Sequence, residues 1–214
     1  MPDDPAGEEE TEPKQEAVAT KARILEAAGT LFAEKGLKGT TTRDIGESAG
    51  VNMALIHYHW GSKEELWSAV FFDVYSRFLQ FVWGFLPGLA GMEPLDALRE
   101  ITRNIVDFMA DNPNAVMLSQ RGLPDNVRLP DPVTASFPFE ILVDYMENNT
   151  NINFDPVDIR MAVYCIIGAF ELFFTRPDLI EHYFHEDPDN MSPEFRERVA
   201  EALFIMGTRF GQVG

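Results

Sequence analysis

The chain has 214 residues, 45% of them apolar and 24% charged, the balance of a soluble globular protein with enough length for one large domain or two small ones. No apolar run reaches the roughly 18 residues of a membrane span, and the acidic start is unlike a secretory signal. The single cysteine, Cys165, excludes an internal disulfide and a thiolate-rich zinc site, so a cytoplasmic protein without a metal or other cofactor is expected. The net charge of −18, taken as a total, speaks against nucleic acid. Its distribution speaks otherwise. From Lys14 to Lys63 there are seven basic residues against five acidic ones, so that stretch carries +2 and the remainder −20.

Residues 1–13 hold six acids, no base and three prolines. Such a segment cannot bury enough apolar surface to offset its ordering entropy, and a disordered tail is expected, able to compete with an anionic partner for Lys35, Lys38 and Arg43. A helical pattern follows, with Val18, Ala22, Leu25, Ala28, Leu31 and Phe32 at steps of three and four, ended by Gly36. Thr41 and Asp44 have the spacing of a capping box and open a short helix reaching Ala49. Gly50 and Val51 make a tight joint, and Asn52 caps a second short helix ending at His59 or Trp60. Ser62 and Glu65 form another capping box at the head of a long helix, 63–85. Helix, short helix, tight turn and short helix is the helix-turn-helix pattern. Further helices are expected near 94–111, 114–122, 132–149, 156–175 and 192–211, with breaks at Asp111-Asn112-Pro113 and Glu186-Asp187-Pro188. No period-two alternation is sustained, so no sheet is expected. The fold class is all-α: an N-terminal three-helix module (14–62) and a larger helical bundle (63–214).

The stretch Thr40 to Leu66, with Ile24-Leu25-Glu26-Ala27-Ala28, Leu31-Phe32 and Lys35-Gly36 before it, resembles the DNA-binding signature of the TetR (tetracycline-repressor-like) family. The likeness covers about a fifth of the chain, with glycines, caps and apolar spacings all in register. It implies a DNA-binding transcriptional regulator rather than an enzyme, more specifically a ligand-responsive repressor acting as a homodimer on a palindromic operator in double-stranded DNA. The residues it places near DNA are Thr41, Thr42, Arg43, Asn52, Met53, Ala54, Leu55, His57, Tyr58, His59 and Lys63. The chemistry of these residues agrees. Ala54 lets the backbone approach the bases, Met53 and Leu55 suit thymine methyls, Arg43 suits a bidentate guanine contact, and Thr41, Thr42 and Lys63 suit phosphates. Ile56 reads as core. Three positions depart from the family pattern: His57 where an aromatic is usual, Trp60 for phenylalanine and Gly46 for alanine. A local charge of only +2 implies few phosphate contacts per module, moderate salt dependence and a need for two copies.

By the same resemblance the C-terminal bundle holds a small-molecule effector that acts through the helix beginning at Ser62. Seven aromatics crowd residues 71–85, and Phe78, Phe108, Met117, Phe137, Tyr145 and Phe170 are the candidate lining for a hydrophobic ligand. The last two long helices correspond to a dimerisation pair, with Ile166, Gly168, Ala169, Ala202, Ile205, Met206 and Phe210 as candidate interface residues; internal core is the alternative for each. Ser119, Cys165 and the histidines fall in no nucleophile motif, and no glycine-rich phosphate loop occurs. Two other readings stand beside the regulator: a helical protein–protein adaptor without DNA binding, and a metal-responsive regulator using His182 and His185.

Overall fold

The computed structural model describes residues 11–121, 143, 147–148, 152–153, 159–188, 190–210 and 212–213. Helix α1 spans Thr11–Gly39, α2 Thr42–Ala49, α3 Met53–Trp60 and α4 Lys63–Phe85. A 3-10 turn, Leu86–Leu89, leads to α5, Pro94–Asp111, and α6, Pro113–Arg121. Beyond them lie α7, Ile159–Thr175, and α8, Pro193–Phe210. The all-α expectation holds. Of the helix expected over 132–149, only Val143, Glu147 and Asn148 are described, and all three are helical. Among the described residues the departure from helix as regular structure is an antiparallel pairing of two residues each, Ile152–Asn153 (β1) with Gln212–Val213 (β2). Strands that short carry no alternation for a sequence to display.

The acidic tail expected over 1–13 lies outside the described residues as far as residue 10, and its last three residues belong to α1. Pro13 sits in the first turn, where a missing N–H leaves no helix bond unmade. At Gly36 the backbone turns to φ 71° and leaves the helical conformation, so the apolar helix ends there as expected and the remainder of α1, to Gly39, is a separate short turn. That left-handed value is open to glycine at little cost.

The described residues form two compact units, the first reaching Phe71 and including Arg121, the second beginning at Phe72. The expected boundary at 62/63 therefore falls about two turns early, and the core of the first unit explains why. Ile24, Ala28 and Phe32 of α1, Ile45 and Ala49 of α2, Ile56 of α3, and Leu66, Trp67 and Val70 of α4 are all buried. The rings of Phe32 and Trp67 lie 4.8 Å apart at 55°, so the start of α4 is a wall of the small module.

In the second unit α8 packs along α5 and α7. Their shared core holds Val106, Ala110, Ile166, Phe170, Phe174, Phe195, Val199 and Leu203. Arginines line the seam between α5 and α8: Arg99 with Glu201 (3.1 Å), Arg103 with Glu197 (2.7 Å) and Arg196 with Asp111 (2.7 Å). These pairs are a third to two-thirds exposed on at least one side, so each contributes about 0–1 kcal/mol and mainly fixes register, while the apolar core supplies the stability. Arg99 also lies 4.3 Å over the Phe204 ring. Asp107 faces Arg196 at 3.8 Å, yet burial raises its pKa above the ordinary aspartate value. Among the described residues no helix is long and apolar enough to cross a membrane.

Phe32 is fully buried, so Phe32→Ala is expected to destabilise the first unit by about 3–5 kcal/mol in urea titration followed by tryptophan fluorescence. A loss below about 1 kcal/mol would mean that the Phe32–Trp67 contact does not organise this core.

Candidate nucleic-acid interface

Three local devices place α2 and α3. The capping box at the head of α2 forms as the spacing predicts: the Asp44 N–H donates to Thr41 Oγ1 (3.1 Å) and the Thr41 N–H to Asp44 Oδ2 (2.9 Å). Hydrogen bonding from Thr41, side chain first and backbone second, holds the Asp44 carboxyl below the ordinary aspartate range. At the other end Gly50 adopts φ 65°, and the Val51 N–H returns to the Gly46 carbonyl at 2.9 Å. A Cβ on Gly46 would stand 3.1 Å from the Val51 carbonyl and 3.6 Å from the Met53 nitrogen. At Gly46, which stands where the family pattern has alanine, the missing Cβ lets the α2–α3 turn approach closely. Asn52 then caps α3, its Oδ1 accepting from the Ala54 N–H at 2.8 Å.

With both short helices fixed, α3 buries only Ile56, as expected. Asn52, Met53, Ala54, Leu55, His57 and Tyr58 are exposed, Tyr58 at 81%. His59 is half-buried, its ring edge-on to Tyr58 and Trp60. His57 Nδ1 lies 3.0 Å from the Gly61 carbonyl. A carbonyl only accepts, so Nδ1 carries the proton in that contact and Nε2 is left facing outward chemistry. On α2, Thr41 and Arg43 are exposed and Thr42 is half-buried. Arg43 is not free: its Nε donates to Glu47 Oε1 at 2.8 Å, a contact that raises the guanidinium pKa further. Glu47 is the residue here that the sequence reading passed over, although an i,i+4 pair was visible in it.

Lys63 also has partners within the chain. Its Nζ donates to the carbonyls of Leu37 (2.6 Å) and Thr40 (2.8 Å), two of its three protons thus holding the α1–α2 connection. Near the same bend the buried Thr40 hydroxyl meets the carbonyls of Gly36 (2.8 Å) and Leu31 (3.0 Å). Arg121 donates from Nε to Ala33 O (2.7 Å) and from Nη2 to Glu34 O (2.6 Å). Helix ends leave carbonyls without partners, and cations suit that negative pole. Thr40 and Arg121 were not candidates from sequence; Arg121 is 88 residues from one of its partners.

The candidate ligand and interface residues divide. Phe78 and Phe108 meet edge-on at 5.2 Å, and Phe81 joins them 4.7 Å from Phe108. Met117 is half-buried. Phe170 belongs to the main core with Ile166. Phe137 and Tyr145 lie outside the described residues. Of the interface candidates, Gly168, Ala202 and Ile205 are exposed, whereas Ala169 and Met206 pack partly against the core. Ile166 corrects the expectation: it is buried within its own chain, where its Cδ1 would lie 2.8 Å from a Cβ on Gly207. The burial of Phe210 is outside what is described. Met161, Tyr164 and Leu172, which the sequence reading omitted, are exposed on the same helix as Gly168. His182 and His185 are exposed, and among the described residues no group of three or more His, Cys, Asp or Glu converges to hold a metal.

Residues 24–70 match the family model for bacterial regulatory proteins of the tetR family. Among curated relatives, the HTH-type transcriptional repressor KstR2 of Rhodococcus jostii is 34% identical over 79 residues, 35% of this chain and 39% of that protein. The HTH-type transcriptional repressor NicS of Pseudomonas putida is 34% identical over 104 residues, 49% of this chain and 48% of that protein. The chain thus spans between about a quarter and a half of the length of the curated relatives it matches. A solved TetR family transcription regulator from Marinobacter aquaeolei superimposes with a TM-score of 0.68, covering 92% of this chain and 98% of that one at 18% identity. At that identity the likeness is one of fold.

Lys63→Ala is expected to lower stability by about 1–2 kcal/mol in thermal unfolding, because two carbonyls lose a charged donor. Unchanged stability with weakened DNA binding would return Lys63 to a phosphate-contact role alone.

Proposed function

We propose that this chain, whose residues 24–70 match the tetR-family model of bacterial regulatory proteins, is a DNA-binding transcriptional regulator of that family, a ligand-responsive repressor acting as a homodimer. The observation that carries the reading is α3. An eight-residue helix, capped at Asn52, turns one apolar side chain inward and leaves Met53, Leu55 and Tyr58 in solvent. Such a surface is costly for an isolated protein and suited to a major groove, where thymine methyls and base edges await. Arg43 and the outward nitrogen of His57 add hydrogen-bonding capacity beside it, and Thr41, Thr42 and His59 flank it as candidates for backbone contact. A protein that acts on chromosomal DNA works in the cytoplasm. The relatives named as repressors support repression.

Homodimerisation is supported by α7 and α8. Met161, Tyr164, Gly168 and Leu172 recur at steps of three and four on an exposed face of α7, with Ala202 and Ile205 exposed on α8. A Cβ on Gly168 would meet nothing within 4 Å, leaving room for a helix of a second copy to approach. An isologous contact through this face gives a two-fold dimer and hence a palindromic operator with half-sites about 34–36 Å apart. The partly buried cluster Phe78, Phe81 and Phe108, with Met117, supports a hydrophobic effector. That effector shifts DNA binding only if it prefers the geometry that does not bind DNA.

In fluorescence anisotropy on DNA flanking its own gene, with unrelated DNA as competitor, specific binding is expected, and Arg43→Ala is expected to weaken it by about tenfold or more. No binding even at low salt would favour the adaptor reading instead. Leu172→Glu is expected to convert the protein to monomer in sedimentation analysis while leaving its helix content unchanged; a dimer that survives this charge would mean that the interface lies elsewhere.

A further inference from the structure

Arg43 is the best base reader on α2, yet its guanidinium stands on a four-bond stem in solvent, with a side-chain exposure of 82%. A residue so placed would lose much rotamer freedom on docking to one base. The structure shows what limits that freedom. Glu47, one turn on, accepts from Nε alone, at 2.8 Å. Among the described residues no other acceptor engages the guanidinium. The neighbouring carboxylate of Asp44 is turned away to the Thr41 N–H in the capping box, so Arg43 is drawn to one side only.

The Nε contact matters because of the shape of the group. Arginine offers five N–H donors in a rigid plane, and the edge bearing the two terminal nitrogens matches the O6 and N7 acceptors of guanine. A carboxylate on that edge would block the base. A carboxylate at Nε leaves the edge open and sets its direction. Resting on the DNA-binding reading above, we propose that Glu47 is a specificity-determining positioning residue, which holds the Arg43 guanidinium by its Nε so that the terminal edge reads a single guanine in each half-site.

The backbone under Glu47 is well placed for this task. Its carbonyl accepts from the Gly50 N–H at 3.3 Å in the cap of α2, and its neighbour Gly46 is clamped under the Val51 carbonyl. The backbone that carries the acceptor is therefore held at both the cap of α2 and the α2–α3 turn. Its charge is otherwise out of place: an acid on a helix facing phosphates weakens general attraction to DNA. A residue that costs affinity for all sequences and orients the reader of one base raises discrimination through both effects.

The test selects duplexes from a pool with a randomised core, using the full-length wild type, Arg43→Ala, Glu47→Gln and Glu47→Ala, and compares base preferences position by position. Arg43→Ala is expected to erase the preference for one guanine per half-site. Glu47→Ala is expected to reduce the preference at that same position by about tenfold, with binding to unrelated DNA unchanged or tighter. Glu47→Gln, whose amide oxygen still accepts from Nε, is expected to fall between wild type and Glu47→Ala. A Glu47→Ala profile that overlays the wild type, or that weakens every position alike, overturns the proposal. So does an Arg43→Ala variant that keeps every preference, because no guanine reader would remain to be oriented. A wild type that selects no sequence overturns the regulator reading itself, which separates that failure from this one.

Discussion

The interior end of α1 is the constraint from which the first unit takes its form. Around the break at Gly36 the carbonyls of Leu31, Ala33, Glu34, Gly36, Leu37 and Thr40 all accept side-chain hydrogen bonds. Thr40, Lys63 and Arg121 supply the donors from three separate places in the chain. Two of the three are cations at the negative end of a helix, where their charge is also favourable. Thr41 follows the last of these carbonyls directly and opens α2, so the anchoring of one helix end sets the origin of the next helix. The Gly46–Val51 approach then sets α3 on α2. Each step spans a few ångströms, and together they decide where the exposed face of α3 lies.

That arrangement changes how the charge of the module is counted. The formal +2 between Lys14 and Lys63 includes Lys63, whose ammonium is engaged by two carbonyls, and Arg43, which is paired with Glu47. Lys21, Arg23, Lys35 and Lys38 are exposed on the same module, a small set of cations for contacts to phosphate. On the proposed DNA-binding reading, a protein of net charge −18 would draw its selectivity from base edges and groove shape, which phosphate contacts do not supply. In this setting the geometry of a single arginine acquires weight it would not have in a strongly basic domain.

Much of the small module was legible because its determinants are local. The Thr41–Asp44 box, the Asn52 cap, the turn at Gly50 and the inward Ile56 each depend on residues within four positions of one another. The roles of Lys63 and Arg121 were not legible, since their partners lie 23–26 and 87–88 residues away. The same limit appears in α7. Its segment from Ile159 to Phe174 is apolar on nearly every side, so periodicity could not say which residues turn inward. Ile166, for which interface and internal core both stood open, is core, while Met161, Tyr164 and Leu172 are exposed. The tight crossing of α7 and α8 within the chain is at Gly207 against Ile166, and Gly168 stays open.

The two-sided character of α7 has a physical consequence of its own. Ile166, Phe170 and Phe174, spaced at four, form a complete inward stripe and satisfy what a surface helix needs to hold its place. Met161, Tyr164, Gly168 and Leu172 make a second apolar stripe that contributes nothing to the core of the same chain. A helix apolar all round is ordinarily buried all round, and exposed clusters of this kind mark association surfaces. The electrostatic and geometric requirements meet at this point. On the proposed reading, a module of low net charge gains usable affinity by acting in pairs, and the exposed stripe of α7 is the candidate face for a second copy. Two-fold pairing through α7 would then convert a weak single reader into a reader of two half-sites, with the spacing between them open to change by anything that alters the packing of the bundle.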